Sequence, residues 1–472
     1  MKNNILYAGI NKIIYAMITQ FFIVVCSLVI GFVLPKYMGS EQYGYWQIYY
    51  FYLNYINLAT FGFNDGIALR YGGYDEDKLP LSKIRSAIWI LSQALLILTI
   101  FIIIGTGIVD LSSERRFIYI TLAISLPFVC MMNIIVTIFL SVNRQAIYNR
   151  VNLANKLISS IAYLILILIG IKSFQSIIMS DIVIRLILTL ICVYIGRKFI
   201  FGLKDRFTEG FTEVKQNISA GKFITVGALA SAFIPMAGRV VLEHNESIQT
   251  YGIYSFAMSL LGIIVTFAST AGMVFFPIMK RISIDNLPLY FTKLKEINNL
   301  ILYISLLAYI PITMIINQYL TDYQAVLSYA FILFVMCIPL GKMQTLITVY
   351  YKIFRMERQY FLANISGALI MLISTYIAYY CFRNVFAVAT TTTIIFTLWS
   401  YVLELYLMKR MNLKLDKSVL EELMIMLAFL AAASTKNLII LSIGYTMVLL
   451  IVIVSKYHKI KDIYTKFRNE VN

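Results

Sequence analysis

The sequence predicts an all-α integral membrane protein of about 14 transmembrane helices, with two parallel six-helix bundles around a central cavity plus a C-terminal helix pair. Three observations carry that expectation. Of the 472 residues 60% are apolar and 13% charged, with a mean hydropathy of +0.81, far more apolar than a soluble chain of this length can hide in its cores. The apolar residues gather into runs near the ~20 residues that cross about 30 Å of hydrocarbon. The chain also repeats itself: residues 238–254 are a near copy of 31–45, about 208 positions on. Leu153-Ala154-Asn155 and Leu362-Ala363-Asn364 recur at almost the same offset, each after a basic turn.

The runs follow in order. The first, 13–35, comes after Lys2 and Lys12 but is long and has no small-residue cleavage site, so it reads as a retained span and not as a signal peptide. The polar turn Ser40-Glu41-Gln42-Tyr43-Gly44 leads into 44–68, with Gly39 and Gly44 permitting a tight reversal. Runs 86–108 and 117–141 flank Arg115 and Arg116, 151–171 follows the basic turn at 144–150, and 174–196 follows Lys172. A polar, basic linker over 197–216 is the hinge candidate. The second half brings 219–241, 251–279, 298–318, 324–350, 360–380 and 384–407. Runs 419–433, which is short, and 437–455 form the terminal pair. The expected domains are therefore 1–200, a cytoplasmic linker 201–218, 219–410, and 411–472 with the terminal pair and a basic cytoplasmic tail.

Basic residues accumulate in cytoplasmic loops. With a cytoplasmic N-terminus, only Lys36, Arg115, Arg116, Lys172, Arg383 and Lys436 lie outside, and Lys156, Arg185, Arg239 and Lys342 lie within spans. The remainder of the 40 Lys and Arg face the cytoplasm, which accounts for the net charge of +17 through contact with anionic lipid and leaves no nucleic-acid partner to invoke. Both termini are then cytoplasmic. Six spans per half is an even number, so the repeats are parallel, and two such bundles leave a cavity that opens by rocking one against the other.

The five cysteines lie in or beside apolar runs without paired spacing, and the only histidines are His244, in an external turn, and His458, in the tail. Neither disulfides, a metal site nor a histidine-based catalytic triad is expected. By these boundaries no outer loop exceeds nine residues, which leaves little room for a membrane polysaccharide polymerase or ligase, the competing enzymatic reading.

Residues Leu34-Pro35-Lys36-Tyr37-Met38-Gly39-Ser40-Glu41-Gln42-Tyr43-Gly44 after the first span and Phe275-Phe276-Pro277-Ile278-Met279-Lys280-Arg281 closing the eighth carry a resemblance. With the length and the fourteen spans, they resemble the O-antigen and capsule repeat-unit flippases (Wzx type). These are the polysaccharide transporter branch of the multidrug/oligosaccharidyl-lipid/polysaccharide (MOP) superfamily, which also holds the MATE multidrug exporters. The resemblance implies a non-enzymatic transporter in the bacterial inner membrane, moving undecaprenyl-pyrophosphate-linked oligosaccharide to the outer leaflet for surface polysaccharide biosynthesis. Membrane lipids, a polysaccharide polymerase and chain-length machinery are the partners it suggests. No cofactor is expected, and H+ or Na+ is the candidate coupling ion. A MATE-like cation-coupled exporter of drugs or small solutes is the alternative, and the absence of a carboxylate from the first span weakens it.

A pyrophosphate crossing the membrane needs its charge matched, and the four basic residues within spans are the candidate substrate contacts: Arg239, Arg185, Lys342 and Lys156. Each has a plainer reading. Arg185 stands four residues after Asp181 and can pair with it; Arg239 and Lys342 lie near span ends and can snorkel; Lys156 is one to two turns from the cytoplasmic end. The candidate ion-coupling carboxylates are Asp65, Asp181 and Glu404, with Asp65 also placed to cap a helix end beside Arg70. The tyrosines at 43, 45, 49, 50, 52 and 55 around Trp46 are expected mainly as an interfacial belt.

Overall fold

The structure, a computed structural model, describes the backbone of residues 2–279, 282–414 and 418–471 and the side chains among them, apart from 2–17, 264–265, 267–278 and 457–471. The side chains of Lys2, Lys12 and His458, and most of the motif at 275–281, lie outside the described residues. The described chain is helical throughout, without strands: α1 (Lys2–Leu53), α2 (Phe63–Tyr71), α3 (Leu81–Ile108), α4 (Ser113–Ser141), α5 (Gln145–Leu168), α6 (Phe174–Ile195), α7 (Arg197–Ile200), α8 (Phe207–Phe233), α9 (Ala237–Asn245), α10 (Ile248–Met279), α11 (Leu287–Ser305), α12 (Tyr309–Tyr319), α13 (Ala330–Val335), α14 (Cys337–Lys342), α15 (Thr348–Ile353), α16 (Glu357–Phe382), α17 (Val385–Arg410), α18 (Ser418–Ser434) and α19 (Leu438–Val471). Among the described residues eleven segments are long and apolar enough to cross a membrane. Their outer faces carry side chains such as Phe101, Leu168, Leu398 and Ile451, each more than half exposed, which suits lipid and not water. The protein is multi-pass.

Several expected spans are broken. The run 44–68 is divided between the end of α1, a 3₁₀ turn at Ile56–Thr60 and α2, because Phe61 and Gly62 both adopt left-handed backbone, at φ 49° and 92°. The α1 helix itself is interrupted at Gly39 (φ 75°), the glycine that the sequence placed in the turn. The run 219–241 bends at a 3₁₀ turn around Pro235, where proline removes a backbone donor. The run 324–350 is assembled from α13, α14, a π-helical turn at Met343–Ile347 and α15. Helix α18 has 17 residues, about 26 Å at 1.5 Å per residue, so it falls short of the hydrocarbon thickness.

The chain forms two compact units. In the first, α4 is the central post: 67% of its most apolar stretch is buried, against 28% for α3 and α5. In the second, the segment Ala330–Ile353 takes that place, with 89% buried. These two posts are equivalent under the 208-residue repeat. The repeat copies also meet within the first unit. A Cβ on Gly44 would lie under 3.0 Å from Ile248 O, and one on Gly252 equally close to Ser40 O. Ser40 matches Ile248 and Gly44 matches Gly252 at the 208-residue offset, so this contact is reciprocal.

The first unit does not end near residue 200. It extends to Phe233 and takes in Glu246–Gly252, because α8, which begins inside the expected linker, packs along α2. Its residues Glu213, Asn217, Gly221 and Thr225 recur every four positions on one face. Arg70 gives Glu213 a two-pronged ion pair, 2.6 and 3.2 Å, and also bonds Asn217 Oδ1 and Gln216 Oε1. Tyr71 OH and Asn217 donate to the same carboxylate. Gly66 lies against the Asn217 backbone and Gly221 against Gly62 O, approaches that only glycine permits.

Gly66→Ala is expected to destabilise the protein by about 1–3 kcal/mol or more, since its Cβ would overlap Asn217 backbone. Gly105→Ala in α3, where a Cβ meets open space, should be neutral or stabilising. Thermal unfolding in detergent measures both; equal melting temperatures would show that the close α2–α8 approach is not required.

Candidate functional site

Besides the Arg70–Glu213 pair, the described residues hold two ionic clusters inside the helices, one in each unit. In the first unit Arg185 and Asp181 stand one turn apart on α6, with Nε 2.6 Å from Oδ2. Tyr49 OH from α1 donates to Asp181 Oδ2 at 3.0 Å and Tyr163 OH from α5 to Oδ1 at 2.9 Å. Ser125 Oγ of α4 lies 3.2 Å from Tyr49 OH. Three helices thus meet at one carboxylate, with α4 reaching it through Tyr49, and its side chain is 2% exposed, as befits a charge that must be fully bonded when buried. Arg185 is more open, at 12%. Its Nε serves Asp181, while its two terminal nitrogens have no protein partner among the described residues.

The second cluster is sealed. Lys342 Nζ, at the end of α14, lies 2.6 Å from Glu404 Oε2 of α17 and donates to both oxygens of Glu422 of α18, at 2.8 and 2.9 Å. Lys295 of α11 lies 2.6 Å from Glu404 Oε1. All four side chains are at most 2% exposed, and two positive charges balance two negative ones. The ring of Tyr401 lies under Lys342 at 4.4 Å, a cation–π contact. The π-helical turn follows Lys342 directly; such turns re-aim side chains within a helix.

The seven residues expected at the site therefore fall into different settings. Asp181 and Arg185 do pair, and Lys342 and Glu404 are brought into one cluster. Lys342 does not snorkel, since its ammonium is fully enclosed by carboxylates. Arg239 does not snorkel either: it is 5% exposed and donates from Nη2 to Ser255 O at 3.0 Å and Ser259 Oγ at 3.4 Å on α10. Asp65 sits in the first turn of α2 and accepts a short hydrogen bond from Thr225, while Arg70 turns instead to Glu213. Lys156 lies half-buried at the middle of α5, three turns from its start and not one to two, with no ion pair among the described residues. The tyrosine group is not an interfacial belt. Tyr43 and Tyr49 are 1% exposed, with Tyr43 OH accepting from Gln47 and Tyr49 OH donating to Asp181; Trp46 stacks on Tyr50, and none of the six is exposed.

Lys295, Glu422 and Glu213 were not anticipated. Glu422 was visible as a carboxylate within the short run 419–433, with Glu421, which pairs with Lys456 at 2.7 Å. Lys295 and Glu213 precede their spans and gave no such signal.

Lys342→Met is expected to cost about 3–5 kcal/mol, since it leaves Lys295 alone against two buried carboxylates. Adding Glu422→Gln restores neutrality and should recover most of the loss. If thermal unfolding finds the single variant as stable as the parent, the cluster does not hold the second unit together.

A family model described as polysaccharide biosynthesis protein matches residues 10–283. No curated protein sequence matches the chain significantly. The structure aligns with the lipid II flippase MurJ in its inward closed conformation over 95% of this chain and 100% of that one, at TM-score 0.71 and 14% identity. A multidrug resistance MATE family transporter of the MOP superfamily, inward-facing, aligns over 85% of this chain and 98% of that one, at TM-score 0.57 and 12% identity. At such identities the likeness is one of fold.

Proposed function

This chain belongs to the polysaccharide biosynthesis protein family, and on that premise we propose that it is a flippase for undecaprenyl-pyrophosphate-linked oligosaccharide repeat units, working by alternating access in the bacterial inner membrane. The fold it shares with MurJ and MATE transporters supports translocation over covalent chemistry. The observation that carries the reading is Arg185. It is an arginine within a span whose pairing with Asp181 uses only Nε, so the flat pair of terminal nitrogens is left for a ligand. That fork matches two oxygens of a phosphoryl group. Lys156, without a described ion pair, is the second basic contact in this proposal, whereas Lys342 is held by two carboxylates and Arg239 is buried with Nη2 bonded to Ser255 and Ser259. Among the candidate coupling carboxylates Asp181 is the one joined to that arginine. A proton or Na+ taken up there would compete for the oxygen that Arg185 Nε holds, and so link cation binding to the grip on pyrophosphate.

Arg185→Lys tests the role, because lysine keeps the charge and the Asp181 partner but loses the fork. Transport of a fluorescent lipid-linked oligosaccharide in reconstituted vesicles should fall about 10- to 150-fold, the equivalent of one charge-assisted contact of about 1.5–3 kcal/mol. Thermal stability should stay near that of the parent. Undiminished transport would remove Arg185 from the site. A parent protein that moves a cationic drug and leaves the oligosaccharide in place would overturn the flippase reading in favour of an exporter.

Topology supplies a separate check. Reporter fusions at the C-terminus and within 201–206 should both report the cytoplasm. An external signal from 201–206 would contradict an even number of crossings in the first half and the parallel repeat with it.

A further inference from the structure

A cavity of about 540 Å³ opens in the second unit between α12, Leu327 and the α18–α19 turn, and none of the four charged residues of the second ionic cluster lines it. Its polar lining gathers at one end. Asn317 lies in the last turn of α12, and Lys436 and Asn437 form the tip of the α18–α19 turn. Leu438 and Ile439 follow Asn437 at that end, and the deeper lining is mainly apolar: Tyr309 is two turns back along α12 beyond Thr313, Ala433 precedes the turn, and Leu441 is one turn into α19. Tyr309 is fixed there edge-on against Phe334 and Phe429. The one cation and two side-chain amides thus stand at the mouth, over a floor that is mainly apolar, the order in which a membrane changes from headgroup to acyl chain.

The charges at the mouth are one-sided. Lys436 is the single charged residue of the lining, and no carboxylate lines the cavity. Its side chain is exposed and has no ion pair among the described residues. It also holds a left-handed backbone, φ 55°, where glycine or asparagine is the easier choice. Asn437 uses its Oδ1 to cap α19, accepting from the Ile439 and Ile440 amides, which leaves its amide hydrogens for another acceptor. The Asn317 side chain likewise has no partner among the described residues.

We propose that this cavity binds an anionic membrane phospholipid, with the phosphodiester against Lys436 and the Asn317 and Asn437 amides and an acyl chain over Tyr309 and Leu441. The ligand is a phosphate that comes attached to a lipid; the apolar floor has no use in holding a free ion. The site is independent of the flippase reading, because none of its residues belongs to the ionic clusters.

The test is native mass spectrometry of the purified full chain with phosphatidylglycerol, with phosphatidylcholine as the zwitterionic reference. The parent should retain phosphatidylglycerol preferentially. Lys436→Gln should weaken that retention about five-fold, the share of one lysine at a lipid surface, while Lys436→Arg keeps it. Lys172→Gln removes an exposed lysine that is not part of the cavity and should change nothing. Unaltered melting of the lipid-free Lys436→Gln protein would show that any loss comes from the site. Equal retention by Lys436→Gln and the parent would overturn the proposal, as would an equal loss in Lys172→Gln. So would displacement of the lipid by millimolar inorganic phosphate, which would mean that the mouth alone does the binding.

Discussion

A charge inside a bilayer must find its opposite within the protein, and in the second unit that requirement ties four helices to one point. Lys295, Glu404, Lys342 and Glu422 come from α11, α17, α14 and α18, alternate in sign and exclude solvent almost completely. Burial denies these pairs the screening that exposed pairs receive, so removing one partner strands the next. The short helix α18 thereby becomes part of the second unit's interior through Glu422. Tyr445 OH of α19 bonds Tyr303 O of α11 and completes the attachment. A helix too short to span hydrocarbon comfortably is held by its charge as much as by its apolar surface.

The first unit treats its buried ion pair differently, and the difference separates scaffold from candidate site. Asp181 is saturated by one arginine and two tyrosines, yet Arg185 is satisfied at only one of its three nitrogens. In the second cluster the lysines are enclosed by carboxylates. A transporter of anionic cargo needs cations fixed in place but not consumed, and of the basic residues within spans Arg185 best meets both conditions.

Much of this was legible from the sequence. Composition and run length gave the helical membrane fold, because burial in lipid leaves a mark at every turn of every helix. The repeat surfaced as a matching turn, and the structure gives Gly44 and Gly252 a shared contact. Asp181 and Arg185 could be paired because four residues on a helix are neighbours. What escaped notice required distance. Lys342 and Glu422 are 80 residues apart and Arg70 and Glu213 are 143 apart, separations at which no local pattern survives. The tyrosines near Trp46 were misplaced for a related reason: an aromatic ring with a hydroxyl suits a headgroup layer and a bonded interior equally well, and only Asp181, far along the chain, decides between them. The left-handed pair Phe61 and Gly62 broke a run whose hydropathy alone spoke for one helix.

The embrace of α2 by α8 means that what was duplicated is not what folds. The repeat divides the gene near its middle, before α8, whereas the first compact unit closes only once residues through Gly252 have joined it. A nascent chain that has emerged only as far as α7 therefore carries the first repeat with a bare flank: Gly62, Gly66 and Arg70 wait for their partners on α8. Cutting such a chain at its historical seam would leave each fragment missing something of the other, and the two copies have in that sense given up their independence.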